Sequence, residues 1–213
     1  MYIKVVITTL MLVLAVSSLQ AGWGQGGKRN GVGNDRQLES LTAIDAEQLT
    51  FLREEEKLAR DVYDAMSDIW GLFVFDNISS SEQRHMDAVL KQLEQYGLID
   101  PALQPGVFVN ADLQHHYDSL VMQGSQSQLE ALQAGAYIEE MDMHDINDMI
   151  ASTQNQGLID MYEKLLCGSR NHLRAFVRQI ENRGVVYEAQ VMEQREVDLI
   201  VDSSMERRCG RRR

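Results

Sequence analysis

Four stretches of this chain repeat apolar residues at the three-and-four spacing of an α-helix. The connections between them restrict how those helices can pack. The first stripe is Leu52, Ala59, Val62 and Met66. It opens near Asp45, with Gln48 three residues on as in a capping box, and ends near Trp70-Gly71. The second, Ile78, Val89, Leu93 and Tyr96, follows a connection over 72–76 and stops at Gly97, the residue type favoured at a helix C′ position. The third, Leu129, Leu132, Ala136, Met143, Ile146 and Ile150, begins with a second capping box, Ser127 to Glu130. The fourth, Tyr162, Leu165, Phe176 and Ile180, spans about 157–182 and is followed by Gly184.

Short connections make antiparallel neighbours of helices one and two, and of three and four. Between two and three lies the longer stretch 98–126, with Pro101, Pro105 and a short helical pattern over 112–123. The expected fold is therefore all-α: a ferritin-like four-helix bundle with one long crossover between helices two and three. Residues 185–204 are expected to add an extended piece and a short helix on the outside. No strand pattern is long enough for a sheet.

Polar residues interrupt every stripe. Glu55, with Glu56 on its flank, does so in the first helix, Glu82 and His85 in the second, Glu139 with Asp142 beside it in the third, and Ser169 and His172 in the fourth. Glu82 and His85 share a face, roughly 4.5 Å apart along the axis. One buried, unpaired carboxylate costs several kcal/mol, so a single case would argue against the stripe. One case in each of four helices argues that the groups meet, and converging carboxylates need a cation. Carboxylate and imidazole ligands suit iron, manganese or zinc. Each element also has a plainer reading: a solvated Glu82–His85 pair, an acidic first turn at Glu54-Glu55-Glu56, or a core His172 bonded to a carbonyl. Glu139-Glu140 could likewise be solvated, with Tyr137 and Met141 inward. Met143 is expected in the core and His115-His116 in solvent. Ser169 and His172 lack the acid and the strained elbow of a hydrolase triad.

The charge supports the emphasis on acids. The 213 residues carry 20 Lys or Arg and 32 Asp or Glu, a net charge of −12. Lys4 and five tail arginines hold six of those cations, so the stretch between them stands at −18. Such a chain is a poor partner for nucleic acid or an anionic membrane. Residues 1–21 show Lys4, an apolar run and small residues, as in a secretory signal peptide, with no membrane attachment after its cleavage. Residues 22–41 are Gly-rich and read as a flexible linker, 42–204 as the bundle with its C-terminal extension, and 205–213 as a frayed basic tail. The implied location is periplasmic or secreted. There Cys167 and Cys209 could pair, remain free, or bond another chain.

The segments Arg53 to Tyr63 (REEEKLARDVY), Asn77 to Met86 (NISSSEQRHM), Gly135 to Asp142 (GAYIEEMD) and Gly168 to Phe176 (GSRNHLRAF) resemble an uncharacterised prokaryotic ferritin-like family, domain of unknown function 2202. The resemblance covers about 41–204. The wider superfamily of ferritins and rubrerythrins uses a di-iron carboxylate centre. The resemblance implies Glu56 as the first ligand, since it precedes Tyr63 by seven residues. It implies Glu82, His85, Glu139 and His172 as further ligands, with Asp142 as an additional one. Ser169 departs from the pattern, which has Glu there, so one metal or two are implied, with Asp142 compensating. No Cys-x-x-Cys electron-transfer module is present. The expected function is iron binding in the bundle core, with ferrous oxidation or reduction of dioxygen or peroxide. The alternatives are a non-enzymatic metal-binding or stress-related bundle, or a metal-free bundle with a hydrogen-bonded polar core.

Overall fold

A computed structural model describes residues 39–207 and 209. The expected signal peptide, most of the expected Gly-rich linker and the last arginines lie outside these residues. Among the described residues the chain forms six helices and no strand. None of these helices is long and apolar enough to cross a membrane.

Helix α1 runs Ala43–Trp70. It starts before the expected Asp45 because Thr42 is the cap. The Thr42 hydroxyl accepts the Asp45 N–H at 3.1 Å, and the Asp45 carboxylate accepts the Thr42 N–H at 2.9 Å and its hydroxyl at 2.7 Å. Asp45 is thus the reciprocal acceptor of the capping box rather than its opener. Helix α2 runs Phe73–Tyr96, so the connection shrinks to Gly71 and Leu72. Gly71 makes that possible: it takes a left-handed conformation (φ 62°) and closes on the Ser67 carbonyl. Helix α3, Ala111–Gly124, is capped by Asn110. Helix α4, Gln128–Ser152, makes half of the expected capping box. Ser127 accepts the Glu130 N–H, while the Glu130 carboxylate turns away to Gln123. Helices α5, Gln156–Glu181, and α6, Gln194–Val201, complete the order.

Helix α1 packs on α2 and α4 on α5, and the two pairs meet through α1–α4 and α2–α5 contacts. Tyr63 meets Gly135 and Glu139, whereas Gln48, earlier on α1, bonds Ser152 at the end of α4 at 2.9 Å. These two helices are therefore antiparallel. Tyr63, Phe75 and Phe176 bring three helices together, with ring centroids 5.2–6.1 Å apart. Each of these buried rings contributes roughly 1.5–3 kcal/mol by removal from water.

The connection between α2 and α4 is tied to α1 by the charged residues of its REEEKLARD stretch. Arg53 holds Asp100 through two bonds of 2.9 Å. Glu54 accepts the backbone N–H groups of Val109 and Asn110 at 2.6 and 3.0 Å. Lys57, fully buried, bonds Asp61 and the Val107 carbonyl and lies 4.0 Å above the Phe108 ring, while Asp61 takes the Gly106 N–H. The start of the basic tail is not frayed as expected. Glu206 is gripped by Arg170 at 2.7 Å through both oxygens and by Arg174 at 3.1 Å, and Cys209 is disulfide-bonded to Cys167.

Candidate metal centre

Glu56 arrives from α1, Glu82 and His85 from α2, Glu139 and Asp142 from α4, and Ser169 and His172 from α5. Each sits inside an apolar helix face, and none is more than 8% exposed. Glu139 points inward, while Tyr137 and Met141 lie half-buried at the edge.

The groups converge on Glu82. His85 Nδ1 lies 2.8 Å from Glu82 Oε2 and 3.2 Å from Glu56 Oε2. His172 Nδ1 lies 2.7 Å from Glu82 Oε1 and 3.4 Å from Glu139 Oε2. Two triads result, Glu56–Glu82–His85 and Glu82–Glu139–His172, each with ligand atoms within 4.8 Å of one another. Glu82 belongs to both. The two imidazoles are stacked with centroids 5.5 Å apart. Close as they are, His172 Nδ1 and Glu82 Oε1 are not aligned as donor and acceptor, and both lack a hydrogen-bond partner. Glu56 Oε1 and Asp142 Oδ1 are buried without partners as well.

Asp142 stands beside the triads rather than within either. Its Oδ2 accepts the Ser169 hydroxyl at 2.6 Å, so the serine that replaces an expected Glu positions this carboxylate. Tyr63 donates to Glu139 Oε1 at 2.6 Å and fixes that side chain from the other side. Gly168 is the one small residue the site requires. A Cβ there would run into the His85 ring. The sequence offered no sign of that contact, since Gly168 lies within a helix far from His85 along the chain.

The electrostatics follow from crowding acids in a dry core. Burial pushes Glu56 up to about 7, against the opposing pull of His85. Burial raises Glu139 too, with His172 opposing and Glu82 adding to the rise. Asp142 is driven well above the carboxylate range by burial and by Glu56. Glu82 is the exception: burial is outweighed by His172 and His85, which hold it well below its ordinary value. Burial alone would lower both histidines. Glu82 and Glu139 instead raise His172 to about 10, and Glu56 and Glu82 lift His85 well above its usual value. The crowded site therefore favours protons both on the two imidazoles and on Glu56, Glu139 and Asp142.

Neighbouring acids do different work. Glu140, fully buried, accepts the Tyr187 hydroxyl at 2.6 Å and the backbone N–H groups of Gln190, Val191 and Met192. It fastens the C-terminal segment. Glu54 likewise fastens the long connection. Of the two candidates in the first helix, Glu56 enters a triad, and Glu55 is buried with neither oxygen paired. Met143 is in the core, His115 is exposed and His116 is half-buried.

Residues 45–204 match the family described as "Uncharacterized protein domain (DUF2202)". The chain is 44% identical over 173 residues to the uncharacterised protein MJ0754 of Methanocaldococcus jannaschii, covering 80% of this chain and 94% of that protein. The crystal structure of the hypothetical protein MJ0754 from Methanococcus jannaschii superposes with a TM-score of 0.77 at 43% identity, covering 79% of this chain and 97% of that one. None of these descriptions states an activity.

Proposed function

We propose that this chain, which belongs to the DUF2202 family, is a ferritin-like four-helix bundle that binds iron or a similar metal through Glu56, Glu82, His85, Glu139 and His172. The carrying observation is that Glu82 is shared by two buried Glu–Glu–His triads. Helix order, the antiparallel α1–α4 pair and the long connection between α2 and α4 support the ferritin-like reading.

The residues fit a metal on two counts. Buried polar atoms normally find partners, yet Glu56 Oε1 and Asp142 Oδ1 have none, and His172 Nδ1 and Glu82 Oε1 meet at 2.7 Å without hydrogen-bond alignment. A hydrogen-bonded, metal-free polar core would satisfy them. Charge gives the second count. Glu56, Glu82, Glu139 and Asp142 carry four negative charges when ionised, and neutral histidines add none. Two divalent cations would balance that sum, as a low-dielectric core demands. Mixed carboxylate and imidazole donors suit iron, manganese or zinc.

Iron bound there would supply the one-electron exchange that reduction of dioxygen or peroxide requires. The chain's part is to hold and orient. Glu82 links the two halves, Tyr63 and Ser169 fix Glu139 and Asp142, and the layer of Tyr63, Phe75 and Phe176 keeps water from that end. The histidines must lose their protons on loading, so binding strengthens as pH rises. The leader-like start and the Cys167–Cys209 bond support a periplasmic or secreted location. The experiment is anaerobic loading with ferrous iron, metal analysis, and then exposure to oxygen. Iron retained per chain with oxidation faster than in buffer supports the full reading. Retention without acceleration removes the enzymatic part, and no retention removes the centre.

A further inference from the structure

The disulfide joins a buried sulfur to an exposed one. Cys167, on α5, is 8% exposed, whereas Cys209, in the C-terminal segment, faces solvent. The buried sulfur belongs to the turn of α5 that packs on the candidate centre. Gly168 follows Cys167, and a Cβ there would overlap the His85 ring at Nε2 and stand 3.8 Å from His172 Cε1. Each of those imidazoles is a member of one triad. The pair therefore reaches from the surface to the edge of the centre.

The S–S bond is not all that keeps its two ends together. Glu206, three residues before Cys209, is held by Arg170 through two bonds of 2.7 Å and by Arg174 at 3.1 Å. Asn171 accepts the Glu206 N–H at 2.8 Å, and its amide donates to the Glu206 carbonyl at 3.1 Å and to Cys209 Sγ at 3.7 Å. With these contacts in place, opening the bond leaves both thiols on one face of α5, ready to close again. Cys209 is flanked in sequence by Arg207, Arg208, Arg211, Arg212 and Arg213. Exposure and cationic neighbours favour the thiolate and fast exchange with an external thiol. A bond serving only as a staple needs neither an open sulfur nor a separately anchored tail.

We propose that Cys167 and Cys209 are a redox-active pair that passes electrons from an external thiol to the Glu/His centre; the inference rests on that proposed centre. To charge the pair, an external thiolate attacks the exposed Cys209 Sγ. The S–S bond breaks, and its electron pair leaves on Cys167, which takes up a proton. A second external thiol then displaces Cys209, so two external thiols become one disulfide and the chain holds two thiols. To discharge it, Cys167 and Cys209 re-form their bond and release two electrons and two protons. Delivered through the centre, these convert one hydrogen peroxide into two waters.

The test uses the mature chain, first reduced with dithiothreitol and freed of it, then loaded anaerobically with ferrous iron or left metal-free. One hydrogen peroxide per chain is added, and thiols are counted by alkylation and mass spectrometry. The loaded protein loses both thiols, regains the Cys167–Cys209 bond and ends with its iron ferrous, while the metal-free protein keeps its thiols over the same time. Loaded Cys209→Ser retains the same iron but ends ferric, since Cys167 alone cannot supply two electrons. Thiol loss at the same rate with and without iron would overturn the relay and leave the centre standing. So would a loaded wild type that ends ferric with both thiols intact. Loss of iron from Cys209→Ser would mark the bond as a structural staple and also overturn the relay. A wild type that retains no iron would overturn the centre itself.

Discussion

Glu82→Gln separates a shared buried ligand from an ordinary helix-face acid. The substitution keeps the shape and removes one charge. In the metal-free protein that charge lies 2.8 Å from His85 Nδ1 and 2.7 Å from His172 Nδ1, and all three side chains are buried. Removing one member of a buried ion pair costs about 3–5 kcal/mol, because its partner is left uncompensated. For a chain of this size each kcal/mol moves the midpoint by about 2–4 °C, so metal-free Glu82→Gln should melt about 6–20 °C below wild type. A solvated Glu–His pair three residues apart would cost about 0.5 kcal/mol, a shift of about 2 °C at most. Metal content gives the second readout. Since Glu82 belongs to both triads, its loss should empty the two positions together rather than halve the content. The assays are differential scanning calorimetry of the metal-free proteins and elemental analysis after loading and dialysis. A shift below about 2 °C together with unchanged metal content would refute the reasoning.

Four further outcomes are expected. Gly168→Ala should displace the His85 ring and weaken metal binding by roughly 10–100-fold with helicity retained, as read by competition with a chelator. Glu140→Ala should strip the acceptor from three backbone N–H groups and Tyr187, costing roughly 3 kcal/mol in thermal denaturation while metal content stays unchanged. Breaking the Cys167–Cys209 bond, which closes a separation of 42 residues, should cost about 4 kcal/mol on the chain-entropy account, seen as a lower melting temperature under reductant. The metal-free protein should also lose stability as pH rises. His172 (raised to about 10), His85, Glu56 (raised to about 7), Glu139 and Asp142 all bind protons more tightly folded than unfolded. Their stabilisation is complete below the unfolded values and fades as pH climbs through the folded ones. Glu82, shifted the other way, contributes above its unfolded value and does not oppose the trend at neutral pH. Melting temperatures between about pH 6 and pH 9 should fall without metal and hold steady with it.

The helices were legible because their burial is periodic. Leu52, Val62, Met66, Val89, Leu93, Phe176 and Ile180 are in the core, and Gly97 takes the left-handed C′ conformation its position suggested. The ends were less legible. Thr42 or Asp45 could each open α1, and the choice depends on which side chain folds back on the other. The start of α2 carries no side-chain cap at Leu72, so nothing in its residues marks it. Within the candidate centre, an acid in the middle of an apolar stripe is visible from sequence, and Glu82, His85, Glu139 and His172 were found that way. Glu55 and Glu56 straddle the stripe's edge, about 100° apart around the helix, and only the neighbouring helix decides which enters a triad. Glu54 and Glu140 were beyond reach because most of their partners are backbone N–H groups tens of residues away, which carry no residue signature.

The most direct test of the central claim is anomalous scattering from crystals of the metal-loaded protein. Two peaks are expected flanking Glu82, one within about 2.0–2.2 Å of Glu56 and His85 and the other within the same range of Glu139 and His172, about 3.5–4 Å apart. A loaded, folded protein with no peak beside Glu82 would contradict it.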